Sequence, residues 1–562
     1  MQDQGHGRTA NAAIWYAPDG YDPKSKGING RRVAGESFLR GFFAHAEAEE
    51  FVCLTHGSGD EAHFREFAAR AGVTRPVRGA RLERPVDIAP LSVVSFPSPN
   101  FAIECWRRAM SGGAAWAICG ITHTTATSAV MQGLFDLRAA PQMPWDAVIC
   151  TSRAVHASVS GQMELTDAHL SARFGAVPPR PLLPVIPLGV NSGDFTPDPA
   201  AGQALRKRLG LGPEDVACAI IARLTPHEKF DPLPVYLALA EAQRQLVGTG
   251  RLHLFLCGQF RDKAAHAVFA NGAAALMPEV GFHLLDGGDA AERRATLSGA
   301  DIFLFPIDNV QETFGLAPIE AMAAGLPVIV SDWDGMKDTV TPDCGIRIPT
   351  EAARADLTAH LGSRYFGGTD NYAQYLGQLS AMTRIELGPL TAAVVALARD
   401  PVLRRQMGAA GRARVRAFYD WSVVIPQYQA LWAEQAAMAA AALAADSAPP
   451  AYRPGALPPG PAPGLFFADY PSRTGPDPAR RYRATGADLP AVAQMLLLRD
   501  YAATRRQFDS AETVQRTLDA LASAGRAGLT VAGAAKAGGL GQRAVARALL
   551  WLMKYGYAGE AE

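Results

Sequence analysis

The sequence contains few cysteines, and none of them lies close to another. Seven are spread singly over 562 residues without a CxxC pair, and several sit in apolar runs such as VICTS and LFLCG. Disulfide scaffolds and zinc sites are usually recognised by paired spacing. The spacing therefore favours buried free thiols in a reducing compartment over disulfides or metal ligands.

The sequence also lacks a long apolar run and an excess of charge of one sign. Its 54 basic and 54 acidic residues argue against a whole-protein electrostatic role on nucleic acid or anionic lipid. No uninterrupted apolar stretch approaches the roughly 20 residues that cross a bilayer. The first residues show no basic segment followed by an apolar one, as a signal peptide would. We expect a cytoplasmic protein, and we leave open a peripheral association with the inner face of the membrane.

The sequence does contain a series of short apolar runs, separated by helix-length segments, from residue 12 to about residue 440. Because these runs are continuously apolar rather than alternating, they are typical of strands buried on both faces of a parallel sheet. Twelve such strands exceed one ordinary open sheet, so we predict two doubly wound, Rossmann-like α/β domains facing a cleft. The predicted strands are AAIWYAP, FVCLTH, SVVSFPS, AAWAICGI, AVICTS and PVIPLG, then VACAIIARL, LHLFLCG, FHLLDG, IFLFP, PVIVSD and GIRIP.

The predicted domains cover residues 1–188 and 189–440, with an insertion carrying aromatic residues near 355–385. Residues 441–479 are dense in proline, glycine and alanine, which predicts a linker. Residues 480–562 predict a small, mainly helical third domain.

The most informative stretch is ADIFLFPIDNVQETFGLAPIEAMAAGLPVIVSD, which predicts strand, loop, helix and strand. Glu312 falls in the loop, and Glu320 falls inside an apolar helix, where a carboxylate must be paired or hydrogen-bonded. Ribose hydroxyls would supply suitable donors. The loop around Gly315 places free backbone N–H groups at a helix N-terminus, which suits phosphate or sugar oxygens. Taken alone, the pair is equally consistent with two structural carboxylates.

A second constellation is AIIARLTPHEKFDPL, a strand ending near Arg223 followed by a loop with Lys229. Cations at the carboxyl end of a parallel strand lie where open α/β sheets bind ligands, and both side chains suit phosphate oxygens. The alternative is a solvated basic loop.

The first half offers weaker candidates. Gly27 and Gly30 lie in a loop before a predicted helix, where glycine lets the backbone approach a ligand, although a turn can need glycine for its own geometry. His123 ends the run AAWAICGITH, at the carboxyl end of a predicted strand. A hydrogen-bonded structural histidine is the alternative there.

Together these segments resemble the retaining GT-B glycosyltransferases of family 4, the glycosyl transferases group 1. The stretch ETFGLAPIE resembles that family's E-x7-E signature, and RLTPHEK its Arg-x5-Lys motif. DAVICTSRAVH, VIPLGVNSGDFTP and DPVLRRQMGAAGRARVRAFYDWSVV follow in the family's usual order. The resemblance covers roughly residues 12–435, and it makes the first domain the acceptor side and the second the nucleotide-sugar donor side.

The resemblance implies a role for each candidate residue. Arg223 and Lys229 would bind the donor diphosphate, and Glu320 the nucleotide ribose. Glu312 would contact the donor sugar, with His123 near the reacting centre. The remaining donor-site positions are the backbone at Phe314, Gly315 and Leu316, and the N-terminal glycine loop at Gly27 and Gly30.

The resemblance further implies sugar transfer with retention of anomeric configuration, to a glycan, lipid-linked or other acceptor, as in bacterial-type surface polysaccharide or glycoconjugate synthesis. No metal is expected as a cofactor, because positive groups would stabilise the leaving diphosphate. The chain departs from the family in having Lys229-Phe230 where Lys-Gly is common and spaced rather than adjacent glycines at 27 and 30.

The last segment, LTVAGAAKAGGLGQRAVARALLWLMKYGYAG, resembles a winged-helix module. Arg543 and Arg547 lie one turn apart, but the rest of their helix is strongly apolar, which favours packing or a protein partner over DNA contact. Two alternatives to a transferase remain at this point: a sugar-nucleotide-binding regulator, and a phosphorylase or epimerase on the same scaffold.

Overall fold

The structure is a computed structural model, and it divides into two compact units, Met1–Tyr452 and Arg453–Glu562. The residues that it describes are 11–22, 30–82, 88, 92–246, 248, 250–499 and 509–561.

The first sheet has six parallel strands. They are β1 (Ala13–Trp15), β2 (Phe51–Thr55), β3 (Val77–Arg81), β4 (Val93–Phe96), β5 (Ala117–Ile121) and β6 (Ala147–Ile149). Their order across the sheet is β3-β2-β1-β4-β5-β6, with Ile14 opposite Cys53 and Val93 opposite Ala117. The helices that follow these strands in the chain are α1 (Pro18–Tyr21), α2 (Gly30–His45), α3 (Ser58–Arg70), α4 (Ala102–Ala109), α5 (Ser128–Ala139) and α6 (Arg153–Phe174).

The second sheet repeats this arrangement. Its strands are β7 (Val216–Leu224), β8 (Leu252–Phe260), β9 (Gly281–Asp286), β10 (Ile302–Phe305), β11 (Val328–Ser331) and β12 (Gly345–Ile348), in the order β12-β11-β10-β7-β8-β9. All neighbours are parallel. The surrounding helices are α7 (Pro199–Arg208), α8 (Leu233–Gln245), α9 (Lys263–Leu276), α10 (Ala290–Gly299), α11 (Leu316–Ala323) and α12 (Met336–Thr339). The prediction of two doubly wound α/β halves is confirmed.

Within the two six-stranded sheets, one predicted strand is wrong, and one observed strand was not predicted. PVIPLG, residues 184–189, contributes only a single bridge, from Val185 to Cys150. Pro184 and Pro187 have no N–H to donate, so the segment cannot form a regular ladder. The sixth strand is instead β3, which lies at the edge of the sheet and carries arginines.

Both halves have apolar cores, and all seven cysteines are buried and unpaired, as predicted. Cys218 and Cys257 lie in the core of the second half, for example, and Cys53 and Cys119 in that of the first. Withdrawal from water raises the pKa of Cys257 to about 11 and of Cys53 to about 12, so these thiols stay neutral and unreactive.

The chain returns to the first half after the second sheet. Helices α15 (Leu387–Arg399) and α16 (Pro401–Phe418) cover the second half, and α17 (Trp421–Ala444) then packs in the first half's core beside Phe42. Gln435 of α17 donates to the carbonyls of Ile118 and Trp145 at 3.0 and 2.8 Å. Where the chain re-enters the first half, Val190 donates to Tyr419 at 2.8 Å, and Trp421 donates back to Val190 at 3.1 Å. The outgoing and returning segments are therefore hydrogen-bonded to each other.

The insertion predicted near 355–385 is a helical hairpin on a two-stranded base. Strands β13 (Thr350–Ala352) and β14 (Thr383–Ile385) pair antiparallel, and helices α13 (Ala355–Phe366) and α14 (Tyr372–Ser380) lie between them in the chain.

The second unit is mainly helical, as predicted. Its helices are α18 (Pro463–Phe466), α19 (Val492–Arg499), α20 (Ala511–Ser523), α21 (Val531–Gly538) and α22 (Gln542–Lys554). Strands β15 (Tyr482–Ala484) and β16 (Ala558–Glu560) pair antiparallel. Val545, Leu549 and Leu552 of α22 point into the core of this unit, and Arg547 pairs with Asp509 at 3.2 Å. Throughout the described parts of both units, no helix combines the length and apolarity needed to cross a membrane.

Candidate active site

The candidate residues of the second half gather where β7 and β10 lie side by side. The strand order reverses at this pair, since β8 and β9 extend the sheet on one side and β11 and β12 on the other. Such a switch point leaves a crevice outside the carboxyl ends of the strands, where open α/β sheets bind ligands. Arg223 is the penultimate residue of β7, and Gln311 and Glu312 follow β10. Strand adjacency therefore brings the two sequence motifs together.

Arg223 faces this crevice between two acceptors. Its Nη2 donates to Oε1 of Gln311 at 2.5 Å, and its Nη1 lies 3.7 Å from Oε2 of Glu228. The side chain keeps 44% of its surface exposed. The guanidinium is thus oriented by protein groups and still accessible to a ligand.

Lys229 and Glu312 form an ion pair at the start of α11. The ammonium contacts Oε2 of Glu312, and it lies 5.1 Å from the centroid of the Phe305 ring. The side chains of the pair are 18% and 13% exposed. The other carboxylate oxygen, Oε1, accepts from the backbone N–H groups of Gly315 at 3.0 Å and Phe314 at 3.4 Å. Glu312 thus joins the β7 loop to the N-terminus of α11.

These contacts fix the charge state of Glu312. Burial alone would raise the pKa of the carboxyl, but the Lys229 ammonium and the N–H groups of Gly315 and Phe314 outweigh it, so the pKa lies below its usual range. Glu312 is therefore a carboxylate at neutral pH.

The backbone before α11 adopts a conformation that requires glycine. Gly315 has φ of 84°, and a Cβ at this position would lie 3.2 Å from Cγ of Met336. Phe314 is 2% exposed, and Gly335 approaches it so closely that a Cβ there would lie 2.5 Å from the Phe314 Cα. Leu316 is then the first residue of α11. The loop is held from both sides, so its amides keep a fixed direction.

Glu320 lies one turn into α11 among apolar neighbours. Withdrawal from water raises the pKa of its carboxyl to about 7, and the positive charge of Arg293 offsets only part of this effect. A carboxyl so poorly solvated is suited to accept hydrogen bonds from an incoming ligand, which would favour its ionised form.

Substitution of Glu320 by glutamine is expected to remove a pH dependence of stability. The pKa rises from 4.5 to about 7 on folding, so the unfolded chain releases this proton first as the pH rises. The wild type should therefore lose on the order of 2–3 kcal/mol of unfolding free energy relative to Glu320→Gln between about pH 4.5 and about pH 7. Urea unfolding across that range measures the difference. Glu434→Gln, at an exposed site of α17, is the control, and an equal pH profile in both variants would contradict the assignment.

The first half contacts the loop of Glu312 directly. The Thr313 hydroxyl donates to the backbone carbonyl of His123 at 3.1 Å, and the Thr151 hydroxyl donates to the Thr313 carbonyl at 3.2 Å. Nearby, the Ser152 hydroxyl donates to Oδ1 of Asp334 at 2.9 Å. His123 is thus brought beside the second half's loop through its backbone.

His123 is one of the residues that line an apolar cavity of about 540 Å³, including space open to solvent. The cavity lies at the switch point of the first sheet, because it is bounded by Gly20 after β1 and Ser95 of β4. Phe38 and Trp421 are among the apolar residues of its wall. This first-half cavity offers space for a second, less polar ligand.

The glycine loop of the first half is only partly described. Gly27 lies outside the described residues, and Gly30 is the first residue of α2. The next turns of that helix contribute Ala34, Gly35 and Phe38 to the cavity that His123 lines. The roles of Gly27 and Gly30 stay predictions.

Three polar residues of the site were not predicted from the sequence: Gln311, Thr313 and Thr151. Gln311 is the hydrogen-bond partner of Arg223, and the two threonines join the halves. Because Gln311 directly precedes Glu312, its position in the sequence could have indicated that it lies in the site. The threonines gave none, because their partners lie far away in the chain.

Within the described residues, no cluster of three or more histidine, cysteine, aspartate or glutamate side chains is placed to hold a metal ion. The metal independence expected from the sequence stays a prediction.

A known family matches the segment that contains the candidate residues of the second half. The sequence profile of the family glycosyl transferases group 1 matches residues 203–360, which include Arg223, Lys229, Glu312 and Glu320. The resemblance predicted from the motifs is confirmed there.

Two relatives carry related names. The GDP-mannose-dependent monoacylated alpha-(1-6)-phosphatidylinositol monomannoside mannosyltransferase of Corynebacterium glutamicum is 28% identical over 272 residues, which are 46% of this chain and 58% of that protein. The GDP-mannose-dependent alpha-(1-6)-phosphatidylinositol monomannoside mannosyltransferase of Mycobacterium tuberculosis is 32% identical over 186 residues, 31% of this chain and 44% of that protein. The chain thus spans about half the length of the relatives it matches.

Among solved structures, Anabaena HepE in complex with UDP aligns with 75% of this chain and 100% of its own, at 13% identity and a TM-score of 0.48. The two six-stranded sheets described above, rather than this alignment, establish the fold.

Proposed function

We propose that this chain, whose residues 203–360 match the family glycosyl transferases group 1, is a retaining, hexosyltransferase-type glycosyltransferase that uses a nucleotide-sugar donor. One observation carries the proposal: the β7–β10 switch point brings Arg223 together with the Lys229–Glu312 pair at the N-terminus of α11. Cations and a helix N-terminus suit a diphosphate, and the carboxylates suit sugar hydroxyls.

The two cations would act on the leaving group. As the bond to the sugar breaks, negative charge grows on the diphosphate, and fixed positive groups stabilise that charge most in a site shielded from water. Arg223 would bind phosphate oxygens through its planar fork, and Lys229 would act as a point charge. The Lys229 ammonium is already in place, because Glu312 and the Phe305 ring hold it.

Glu312 would contact the donor sugar, and this requires an exchange of partners. Its carboxylate now accepts from the amides of Phe314 and Gly315. A phosphate oxygen that takes over those N–H groups, with that of Leu316, would free Glu312 Oε1 to accept from a sugar hydroxyl. Glu320 would accept from the ribose hydroxyls in the same way. His123, at the first-half face of the cleft, would lie near the reacting centre.

For the acceptor, the apolar cavity beside His123 favours a molecule with an apolar part over a bare sugar. A lipid-linked acceptor fits this requirement, and the two mannosyltransferases above are named for phosphatidylinositol mannosides. An acceptor assay should also include glycans and other acceptors, because polysaccharide or glycoconjugate synthesis is part of the proposal. With a lipid-linked acceptor, the protein would act in the cytoplasm as a peripheral protein at the inner face of the membrane.

The donor assignment is tested by thermal-shift screening of UDP-, GDP- and ADP-sugars, with GDP-mannose included because of the relatives. Arg223→Ala and Glu320→Ala are each expected to raise the dissociation constant of the selected donor about tenfold or more, since charged hydrogen bonds contribute about 1.5–3 kcal/mol. Arg405→Ala, at an exposed site of α16, is the matched control. Unchanged donor affinity in both site variants would reject the assignment.

Retention is tested on the product itself. The anomeric configuration of the new glycosidic bond, read by NMR, should equal that of the donor sugar, and an inverted product would refute this part of the proposal. The assay is run with and without a chelator, because metal independence is part of the proposal.

A further inference from the structure

The helical hairpin of α13 and α14 is held together by side-chain contacts. At its turn, Arg364 donates through Nε and Nη2 to the two carboxylate oxygens of Asp370, at 2.8 and 2.7 Å. Asn371 then caps α14 in a reciprocal capping box with Gln374. Leu361 and Leu376 are buried. Both helices are thus held in place by polar and apolar contacts, unlike a free surface loop.

Helix α14 packs on both loops that carry the proposed donor site. Gly377 faces His227 in the β7 loop, where an added Cβ would lie 3.4 Å from the His227 Cβ. Ser380 is a hydrogen-bond partner of the Asp308 carboxyl in the loop after β10. The hairpin therefore covers the switch point.

One hydrogen-bond chain leads from α14 to Arg223. Nε2 of Gln311 donates to the Tyr372 hydroxyl at 3.1 Å, and Oε1 of Gln311 accepts from Nη2 of Arg223 at 2.5 Å. The two ends of an amide have opposite polarity, so the guanidinium, which can only donate, selects this orientation of Gln311, and the Tyr372 hydroxyl accepts from the amide NH₂ group in that orientation. A flipped amide would turn its NH₂ group towards the guanidinium, and two donors would face each other.

The same hairpin reaches the first half. The Tyr365 hydroxyl accepts from the backbone N–H of Ser128, the first residue of α5, at 2.8 Å. The Tyr372 hydroxyl also lies within hydrogen-bonding reach of the Thr124 side chain. The insertion therefore contacts both faces of the cleft.

We propose that Tyr372 is a positioning residue for the donor diphosphate: through Gln311 it holds the Arg223 guanidinium in the direction that phosphate binding needs. This inference rests on the proposed donor site. It gives the insertion a role in donor affinity, separate from the packing of its rings. The closest of these rings are those of Tyr365 and Tyr375, which stack at 4.3 Å between centroids, while the Tyr372 ring lies tilted at 6.5 Å from that of Tyr365.

Tyr375 provides a matched control for this role. Its ring is part of the stack, and among the described residues no protein group is a hydrogen-bond partner of its hydroxyl. Tyr375→Phe and Tyr372→Phe thus delete the same atom from the same helix, but only Tyr372→Phe cuts the chain to Arg223.

The test is calorimetric titration of the full-length variants with GDP and GMP, or with UDP and UMP if the donor screen selects uridine. Tyr372→Phe is expected to raise the dissociation constant of the diphosphate about fivefold, because one neutral hydrogen bond contributes about 0.5–1.5 kcal/mol. The monophosphate, which lacks the second phosphate, should bind within about twofold of wild type. Tyr375→Phe should change neither value.

A double-mutant cycle separates the relay from a general loosening of the hairpin. In a Gln311→Ala background, Tyr372→Phe should have no further effect on diphosphate affinity, because the intermediate group is gone. Equal losses for diphosphate and monophosphate, or additive effects of the two substitutions, would overturn the inference. If Arg223→Ala binds the diphosphate as wild type does, the donor site and this inference both fall. If Arg223→Ala weakens binding but Tyr372→Phe matches Tyr375→Phe, only this inference falls.

Discussion

Replacing Lys229 by methionine is expected to lower kcat/KM for sugar transfer by about 100- to 1,000-fold, the usual loss when one group that stabilises transition-state charge is removed. Methionine keeps much of the side-chain length, so Phe305 retains an apolar neighbour, but the diphosphate loses its nearest point charge. Glu312 also loses its cation, and burial then dominates its pKa, which should rise. The measurement is initial rates with the donor selected by the thermal-shift screen.

Two variants make this result specific. Lys207→Met, at an exposed site in the last turn of α7 and before the amino end of β7, removes the same charge at the opposite end of the sheet and should leave kcat/KM unchanged. Lys229→Arg keeps the charge and should recover part of the activity. A Lys229→Met enzyme within about threefold of wild type would show that this ammonium does not stabilise the leaving diphosphate.

Replacing Arg108 by methionine is expected to lower the free energy of unfolding by about 3–5 kcal/mol, because it leaves a buried carboxylate without its cation. Arg108 of α4 and Asp146 before β6 are both fully buried and in direct contact. Asp146 also accepts from the backbone N–H groups of Ile118 at 2.9 Å and Met143 at 2.7 Å. The pair therefore ties α4 to β5 and to the segment that begins β6.

Urea unfolding, followed by tryptophan fluorescence, measures this loss. Arg70→Met is the matched control, since Arg70 and Glu66 form an exposed pair one turn apart in α3, and such pairs contribute about 0.2–1 kcal/mol. Similar losses of unfolding free energy in the two variants would mean that burial does not increase the contribution of the Arg108–Asp146 pair to stability.

The fold was predictable where the strands are buried on both faces. Runs such as VACAIIARL and LHLFLCG are almost entirely apolar, and these central strands were found at their expected positions. Strand β3 was missed because it lies at the edge of its sheet, and its sequence VRGAR is partly polar. Its contacts are with residues distant in the chain: it pairs with β2, Arg78 donates to Glu50 at 2.8 Å, and Arg81 lies 3.8 Å from Glu61. Such partners cannot be read from a local pattern.

The site was predictable as a set of residues and not as a set of contacts. Motif spacing singled out Arg223, Lys229, Glu312 and Glu320, because charged side chains at strand ends and inside an apolar helix are unusual. That Lys229 would meet Glu312 depended on β7 and β10 being neighbours, which is a property of the whole sheet. The link from Tyr372 to Gln311 depended further on where an insertion folds back.

The bridge between Val190 and Tyr419–Trp421 has a mechanical consequence. The chain leaves the first half and comes back to it at one place. Residues 191–419 therefore form a domain inserted into the first half, which α17 completes. A domain whose two connecting segments lie side by side can rotate about that place without stretching either segment. On the other side of the cleft, the two halves are joined by the contacts of Tyr365 and Thr313, by the Ser152–Asp334 hydrogen bond and by the Arg153–Asp338 ion pair. Opening of the cleft for substrate exchange would then break those polar contacts, while the hydrogen bonds between Val190 and Tyr419–Trp421 stay intact.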